Sequence, residues 1–171
     1  MSTIKNVTVV GAGTMGNGIA QVFATHAFHV TLLDTNSAQL EKALATIQKN
    51  LDRLVTKETI TAAQKETALA HLTTSTTLAT AVSNADLVVE AATENKAIKL
   101  SIFEALDIAT PAHAILASNT SSISISEIAS VTKRPAQVIG MHFMNPVPIM
   151  KLVEIINGKE TSAATSDTIV E

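Results

Sequence analysis

Residues 4–34 hold the pattern that most narrows what this chain can fold into. An apolar run, Val7-Thr8-Val9-Val10, passes directly into Gly11-Ala12-Gly13-Thr14-Met15-Gly16. A helical pattern follows, then a second apolar run, His29-Val30-Thr31-Leu32-Leu33, which ends on Asp34. This is the order of a β-α-β unit whose helix opens on a glycine fingerprint for a dinucleotide. Gly11 lets the chain turn sharply out of the strand. Gly13 lets backbone approach a pyrophosphate, and Gly16 lets the helix pack closely on the strand. The first helical turn, with Thr14 and Met15, offers unpaired N–H groups and partial positive charge to phosphates. Asp34 lies 18 residues after Gly16. A carboxylate there accepts hydrogen bonds from a ribose diol and repels a 2′-phosphate, so NAD is expected over NADP. The alternatives are a glycine-rich turn in another kind of α/β protein and, for Asp34, a solvated strand end.

Beyond that unit the pattern alternates. Leu40, Leu44, Ile47, Leu51 and Leu54 recur at helical spacing to residue 57, and a second helix over 62–71 predicts a helical hairpin arm. Residues 72–75 allow a short strand; 87–91, 114–117, 137–143 and 151–156 read as further strands, and 95–109 as a helix with Ile98, Ile102, Leu106 and Ala109 on one face. Ser124-x-x-Glu127 reads as a capping box. A helix beginning near Thr161 has no room to finish. Strands alternating with helices predict an α/β fold, a Rossmann-type doubly wound, mostly parallel sheet with the hairpin arm after the second strand. In 171 residues there is room for one core. Such sheets bind ligands beyond the carboxyl ends of their strands. That edge gathers residues 11–16, Asp34, 92–95, 118–122 and 142–145.

Composition removes several functions. Net charge is −3 with no basic cluster, which argues against a nucleic-acid surface. There is no Cys, hence no disulfide or thiolate chemistry. No apolar run approaches the roughly 18 residues of a membrane span. Met1 stands a few residues before the first strand, leaving no room for a leader peptide. The expectation is a soluble, cytoplasmic protein.

For chemistry, His142 stands where a strand ends, followed by Phe143-Met144-Asn145-Pro146, and Glu154 follows on the next strand. A tight turn through two prolines would bring them side by side. A carboxylate on one imidazole nitrogen fixes the tautomer and orients the ring, and the other nitrogen exchanges a proton with substrate. That suits oxidation of an alcohol. Taken alone, His142 also reads as a structural or exposed histidine and Glu154 as a solvated strand residue. The hydroxyls of residues 118–122 either reach a ligand or simply fill a strand-to-helix turn. His26, His29, His71 and His113 show no ligand spacing with acidic partners, and no metal site is expected.

Four segments in order sharpen the reading: residues 11–21, the run 86–91 with Glu94 and Asn95, Ala117-Ser118-Asn119-Thr120-Ser121-Ser122, and residues 142–154. Together they resemble the NAD-binding domain of the L-3-hydroxyacyl-CoA dehydrogenases, which include the 3-hydroxybutyryl-CoA enzymes of fatty-acid metabolism. The resemblance implies His142 as catalytic acid/base, Glu154 as its partner, and Ser121 on the substrate's 3-oxygen. It implies Asp34 on the adenine ribose and Glu94, Lys99 and Asn145 around the nicotinamide end of NAD. Lys57 matches a position that contacts coenzyme A phosphates, with a plain solvated lysine as the alternative. The implied substrate is an acyl-CoA. The family also implies a homodimer built on a C-terminal helical domain that closes the cleft, and this sequence does not carry that domain. An isolated domain is therefore expected to hold NAD, to turn over poorly and to self-associate. The alternative is a catalytically silent NAD-binding module.

Overall fold

The computed structural model describes residues 4–171. Met1, on which the expectation of no leader peptide rests, lies outside the described residues. The elements in chain order are β1 (Asn6–Val10), α1 (Thr14–Thr25), β2 (His29–Leu33), α2 (Ser37–Thr56), α3 (Ala62–Ala70), β3 (Leu72–Ser75) and α4 (Leu78–Val82). They continue with β4 (Leu87–Glu90), α5 (Lys96–Ala109), β5 (Ile115–Ser118), α6 (Ile125–Ala129), β6 (Val138–Phe143), β7 (Val153–Asn157) and α7 (Ala163–Val170). One sheet runs in the order β3-β2-β1-β4-β5-β6-β7. All pairs are parallel except β6 with β7.

Helices cover both faces of this sheet, which is why β4 and β5 are buried at every position and read as apolar runs up to their last residues, Glu90 and Ser118. On one face Ile19, Ile47, Leu51 and Phe143 share a core; on the other, Val82, Phe103, Leu106 and Ile128 do. The chain leaves β1 toward β2 and later leaves β4 toward β5, in opposite directions along the sheet. The crevice beyond the ends of β1 and β4 is therefore the topological switch point, where ligands of such sheets sit.

The hairpin arm is present. Leu51 and Ala68 bury its base in the α1 core, while Lys57, Glu58 and Thr59 at its tip are exposed. Its return helix starts on a full capping box, Thr61 with Gln64. The box expected at Ser124 is only half formed. Ser124 accepts the Glu127 N–H, but the Glu127 carboxylate pairs with Lys96 at 2.7 Å instead.

Other boundaries differ for local reasons. The first helix stops at Thr25, just before Ala27 takes a left-handed conformation with φ 67°. α4 and a 3-10 turn at Pro135–Gln137 were not foreseen. α7 runs to Val170, next to Glu171; Ser162 caps its start, and the buried Thr165 hydroxyl ties it to the Ala136 carbonyl at 2.8 Å. In α5 Leu106 is buried as expected and Ile102 and Ala109 pack against the core, but Ile98 is 45% exposed, and Lys99 and Phe103 are buried beside Leu106. Ile98 and Ile102 line an open cavity beside Asp34.

Candidate functional site

The glycine turn is built as the fingerprint requires. Gly11 has φ +97°, and a side chain on it would press on the Ala91 carbonyl at the end of β4. A Cβ on Gly16 would lie 1.7 Å from the Gly11 carbonyl oxygen, so only glycine lets α1 close on β1. Gly13 is different: a Cβ there meets nothing within 4 Å and would enter open space. Gly13 is also the N-cap of α1, and no side chain caps that helix. α2, α3, α5, α6 and α7 all have side-chain caps. The free N–H groups of the first turn of α1 are thus left for an anion in the groove lined by Gly11, Gly13, Thr14, Met15 and Asp34. This cradle fits a pyrophosphate.

Asp34 closes the other end of that groove. One of its oxygens accepts the Ala12 N–H and the other the Asn36 N–H, each at 2.9 Å. Each oxygen keeps a further lone pair, so a ribose diol can share a carboxylate already fixed by backbone. Next to it, Val10, Leu33, Leu78, Ile98 and Ile102 line an apolar cavity of about 420 Å³, suited to a flat aromatic base.

The second half of the edge is organised by buried charge. Glu90 and Lys99 are both fully buried, with Lys99 Nζ 2.7 and 2.8 Å from the two Glu90 oxygens. Glu90 also accepts the Ser118 hydroxyl and the Ala92 N–H. Lys99 reaches on to Glu94 at 3.5 Å. Glu94 in turn accepts the Thr120 hydroxyl, the Ser121 N–H and the Ser122 hydroxyl through one oxygen. Burial works against ionisation of Glu94, but the Thr120 hydroxyl, the Lys99 ammonium, the Ser121 N–H and the Ser122 hydroxyl outweigh it. Its carboxyl is held below the ordinary glutamate range. The loop after β5 is thereby folded back on Glu94, and the Ser121 hydroxyl makes no hydrogen bond among the described residues.

The antiparallel register brings His142 and Glu154 together. His142 and Glu154 are directly opposite on β6 and β7, and His142 Nδ1 lies 2.8 Å from Glu154 Oε2. A carboxylate only accepts, so Nδ1 carries the hydrogen, and Nε2 has no hydrogen-bond partner among the described residues. The turn after β6 places Asn145 in one pocket with Gly13, Thr14 and Asn17. That turn is docked on α1 at Gly18, where a Cβ would meet Val147 at 2.9 Å.

The sheet edge thus collects Gly11, Gly13, Thr14, Met15, Asp34, Glu94, Ser121, His142, Glu154 and Asn145. Gly16 serves from within the helix packing. Lys99 stands behind the edge, acting on it through Glu90 and Glu94. Lys57 does not join the group: it ends the 20-residue α2, which starts beside Asp34, so it stands roughly 30 Å away along the helix. Glu90 was not among the expected site residues, and Asn119, within the expected 118–122 edge segment, was assigned no role of its own. A charge closing the apolar run Leu87-Val88-Val89 was the available signal for Glu90, since a buried carboxylate needs a partner.

Residues 6–171 match the family described as 3-hydroxyacyl-CoA dehydrogenase, NAD binding domain. The 3-hydroxybutyryl-CoA dehydrogenase of Clostridioides difficile is 48% identical over 165 residues, which is 96% of this chain and 58% of that protein. The mitochondrial hydroxyacyl-coenzyme A dehydrogenase of Rattus norvegicus is 44% identical over 98% of this chain and 55% of its own length. Among solved structures, (S)-3-hydroxybutyryl-CoA dehydrogenase from Ralstonia eutropha superposes with TM-score 0.95 at 47% identity, covering 98% of this chain and 59% of that one. The chain therefore spans under two thirds of the length of these relatives.

Proposed function

Because the chain belongs to the family of the NAD-binding domain of 3-hydroxyacyl-CoA dehydrogenases, we propose that it is the cofactor-holding part of an oxidoreductase interconverting an L-3-hydroxyacyl-CoA and its 3-oxoacyl-CoA. The observation that carries this reading is the 2.8 Å His142–Glu154 pair standing on the same sheet edge as the uncapped glycine turn.

NAD, when bound, supplies the hydride acceptor for alcohol oxidation. The chain's own groups do the rest. Glu154 holds Nδ1–H of His142, so Nε2 faces the substrate as a base and takes the 3-hydroxyl proton. In the reverse direction the same nitrogen returns it. Ser121 donates its hydroxyl hydrogen to the 3-oxygen, and the Glu94 clamp keeps that hydroxyl free for the task. Asn145 takes the nicotinamide ribose, a role supported by its sharing a pocket with Gly13 and Thr14. Asp34 takes the adenine ribose, and Lys57, on the exposed arm, meets a coenzyme A phosphate. Lys99 belongs to the cofactor site through the carboxylates it fixes.

Relatives are longer, and in this reading the remainder of such a protein is a helical domain that closes over the acyl-CoA and forms a homodimer. The 171 residues alone are then expected to bind NAD, turn over poorly and self-associate through the apolar side chains exposed around β7 and α7, such as Leu152 and Val170. Light scattering showing a strict monomer at high concentration, or robust turnover by the chain alone, would contradict this part.

The deciding experiment titrates NADH into the chain and into His142→Ala. Reduction of a 3-oxoacyl-CoA is then assayed after mixing with a relative's helical domain. Near-equal NADH affinity with activity only in the unsubstituted chain supports the reading. Equal loss of both functions refutes proton transfer by His142. NADH binding with no reduction in any mixture favours a catalytically silent NAD-binding module.

A further inference from the structure

β5 makes its last pairing, Ser118 with Gly140, while β6 runs on through Met141, His142 and Phe143. Over those three residues β6 has β7 on one side and no strand residue of β5 on the other. A backbone N–H facing that side lacks a ladder partner and must find another. Asn119, the first residue past β5, provides it: its Oδ1 accepts the Phe143 N–H at 2.9 Å. The Asn119 backbone N–H donates to the Glu90 carbonyl at 2.8 Å. One residue thus ties together the ends of β4, β5 and β6, two positions from Ser121 and bonded to the neighbour of His142.

We propose that Asn119 is a positioning residue whose side-chain carbonyl replaces the missing β5 residue and sets the separation and mutual orientation of Ser121 and His142. The proposal rests on the reading of those two residues as the groups that meet the substrate oxygen. Asn119 itself touches neither reacting side chain. A longer β5 would not serve the same end. Continued pairing would hold residues 119–121 in the ladder and prevent 120–122 from folding back on Glu94. Ending the strand frees the loop, and the Asn119 side chain keeps β6 tied where the strand no longer does.

The test uses the 171-residue chain with Asn119→Leu, which keeps the size and loses the acceptor, and Asn119→Asp, which keeps an acceptor oxygen. Asn119→Ala replaces the leucine variant if the latter does not fold. Three quantities are read: hydrogen exchange of the Phe143 amide, the ring-nitrogen signals of His142, and the NADH dissociation constant. His113, bonded to Asp86, serves as internal control. Loss of the acceptor is expected to speed Phe143 exchange about tenfold, the scale of one hydrogen bond. It is expected to turn a single His142 ring species into a broadened mixture, leaving His113 unchanged. Asn119→Asp is expected to restore both. Unaltered His142 signals in Asn119→Leu, or equal changes at His113, would overturn the proposal, as would failure of the aspartate to rescue. Absence of NADH binding in every variant would instead sink the functional reading, while the ring signals still decide the role of Asn119.

Discussion

His142 and Glu154 face each other across β6 and β7, twelve residues apart in sequence, with Nδ1 and Oε2 at 2.8 Å. The register alone sets this pair: residues directly opposite in an antiparallel ladder project from the same face. The carboxylate keeps hydrogen on Nδ1 and leaves Nε2 as the nitrogen that gains and loses a proton. Glu154→Gln changes that, because an amide can donate to Nδ1 and hold the opposite tautomer. Activity in the reconstituted enzyme is expected to fall by about 10²–10³, within the range for general acid–base groups. NADH affinity is expected to stay unchanged, and kcat with fluorescence titration checks both. An equal loss of affinity would mean that Glu154 shapes the cofactor groove instead.

Gly16 and Gly13 belong to one motif but fail in different ways. A Cβ on Gly16 falls 1.7 Å from backbone oxygen, and backbone cannot step aside. Gly16→Ala is expected to lose at least about 3 kcal/mol in urea unfolding, the upper end of overpacking costs. Gly13→Ala puts a methyl into open space and is expected to leave stability within about 0.5 kcal/mol, as other changes away from packed features do. Its NADH affinity should nevertheless fall at least about tenfold, because the methyl stands where the pyrophosphate approaches the backbone. Two variants of equal stability and equal affinity would contradict the division of labour.

Some of this arrangement was legible along the chain. Gly11 through Asp34 announces its own fold, because turn, close approach and strand-end acid sit at fixed local spacings. The His142–Glu154 meeting was also legible, since two prolines between two strands leave the chain little choice but to double back. Glu90 was hidden inside a strand because its partners, Lys99 and Ser118, come from α5 and β5, and nothing local joins three elements. Asn119 was hidden for the same reason: its bond depends on β5 ending three residues before β6 does. The α5 stripe fails at one residue, Ile98, while Ile102, Leu106 and Ala109 do pack on the core. Periodicity assigns Ile98 to the core, whereas Lys99 is buried because β4 supplies its counter-ion, Glu90, and Ile98 opens onto a cavity.

The Glu90–Lys99 pair is expected to behave as a buried ion pair whose halves depend on each other. Lys99→Met leaves two carboxylates facing each other at the end of β4, one of them with no access to water. Breaking such a pair on one side costs about 3–5 kcal/mol. Glu90→Gln strands the ammonium with only Glu94 within reach and is expected to cost a similar amount. The double variant should lose markedly less than the sum, and urea unfolding of the four proteins closes the cycle. Strict additivity would mean that the two side chains are held independently by their surroundings.

Acid should loosen the Ser121 loop through protonation of Glu94. Glu94 accepts three donors from residues 120–122, and its carboxyl titrates below the ordinary glutamate range despite the burial that opposes it. A depressed folded value means a contribution fully present above the unfolded value, about 4.3. That contribution drains away as pH falls through the lower folded value. Global unfolding cannot isolate this, because Asp86 at the opposite end of the sheet also titrates low. There too burial opposes ionisation, and the Asn6 and Lys5 N–H groups, then His113 and the Asn6 amide, outweigh it. The local signal separates them. The Ser121 and Ser122 amide resonances are expected to move together below about pH 4.3, and to stay still in Glu94→Gln across the same range. Movement in the glutamine variant would assign the transition to Asp86 or to general unfolding, and Glu94 would lose its place as the loop's anchor.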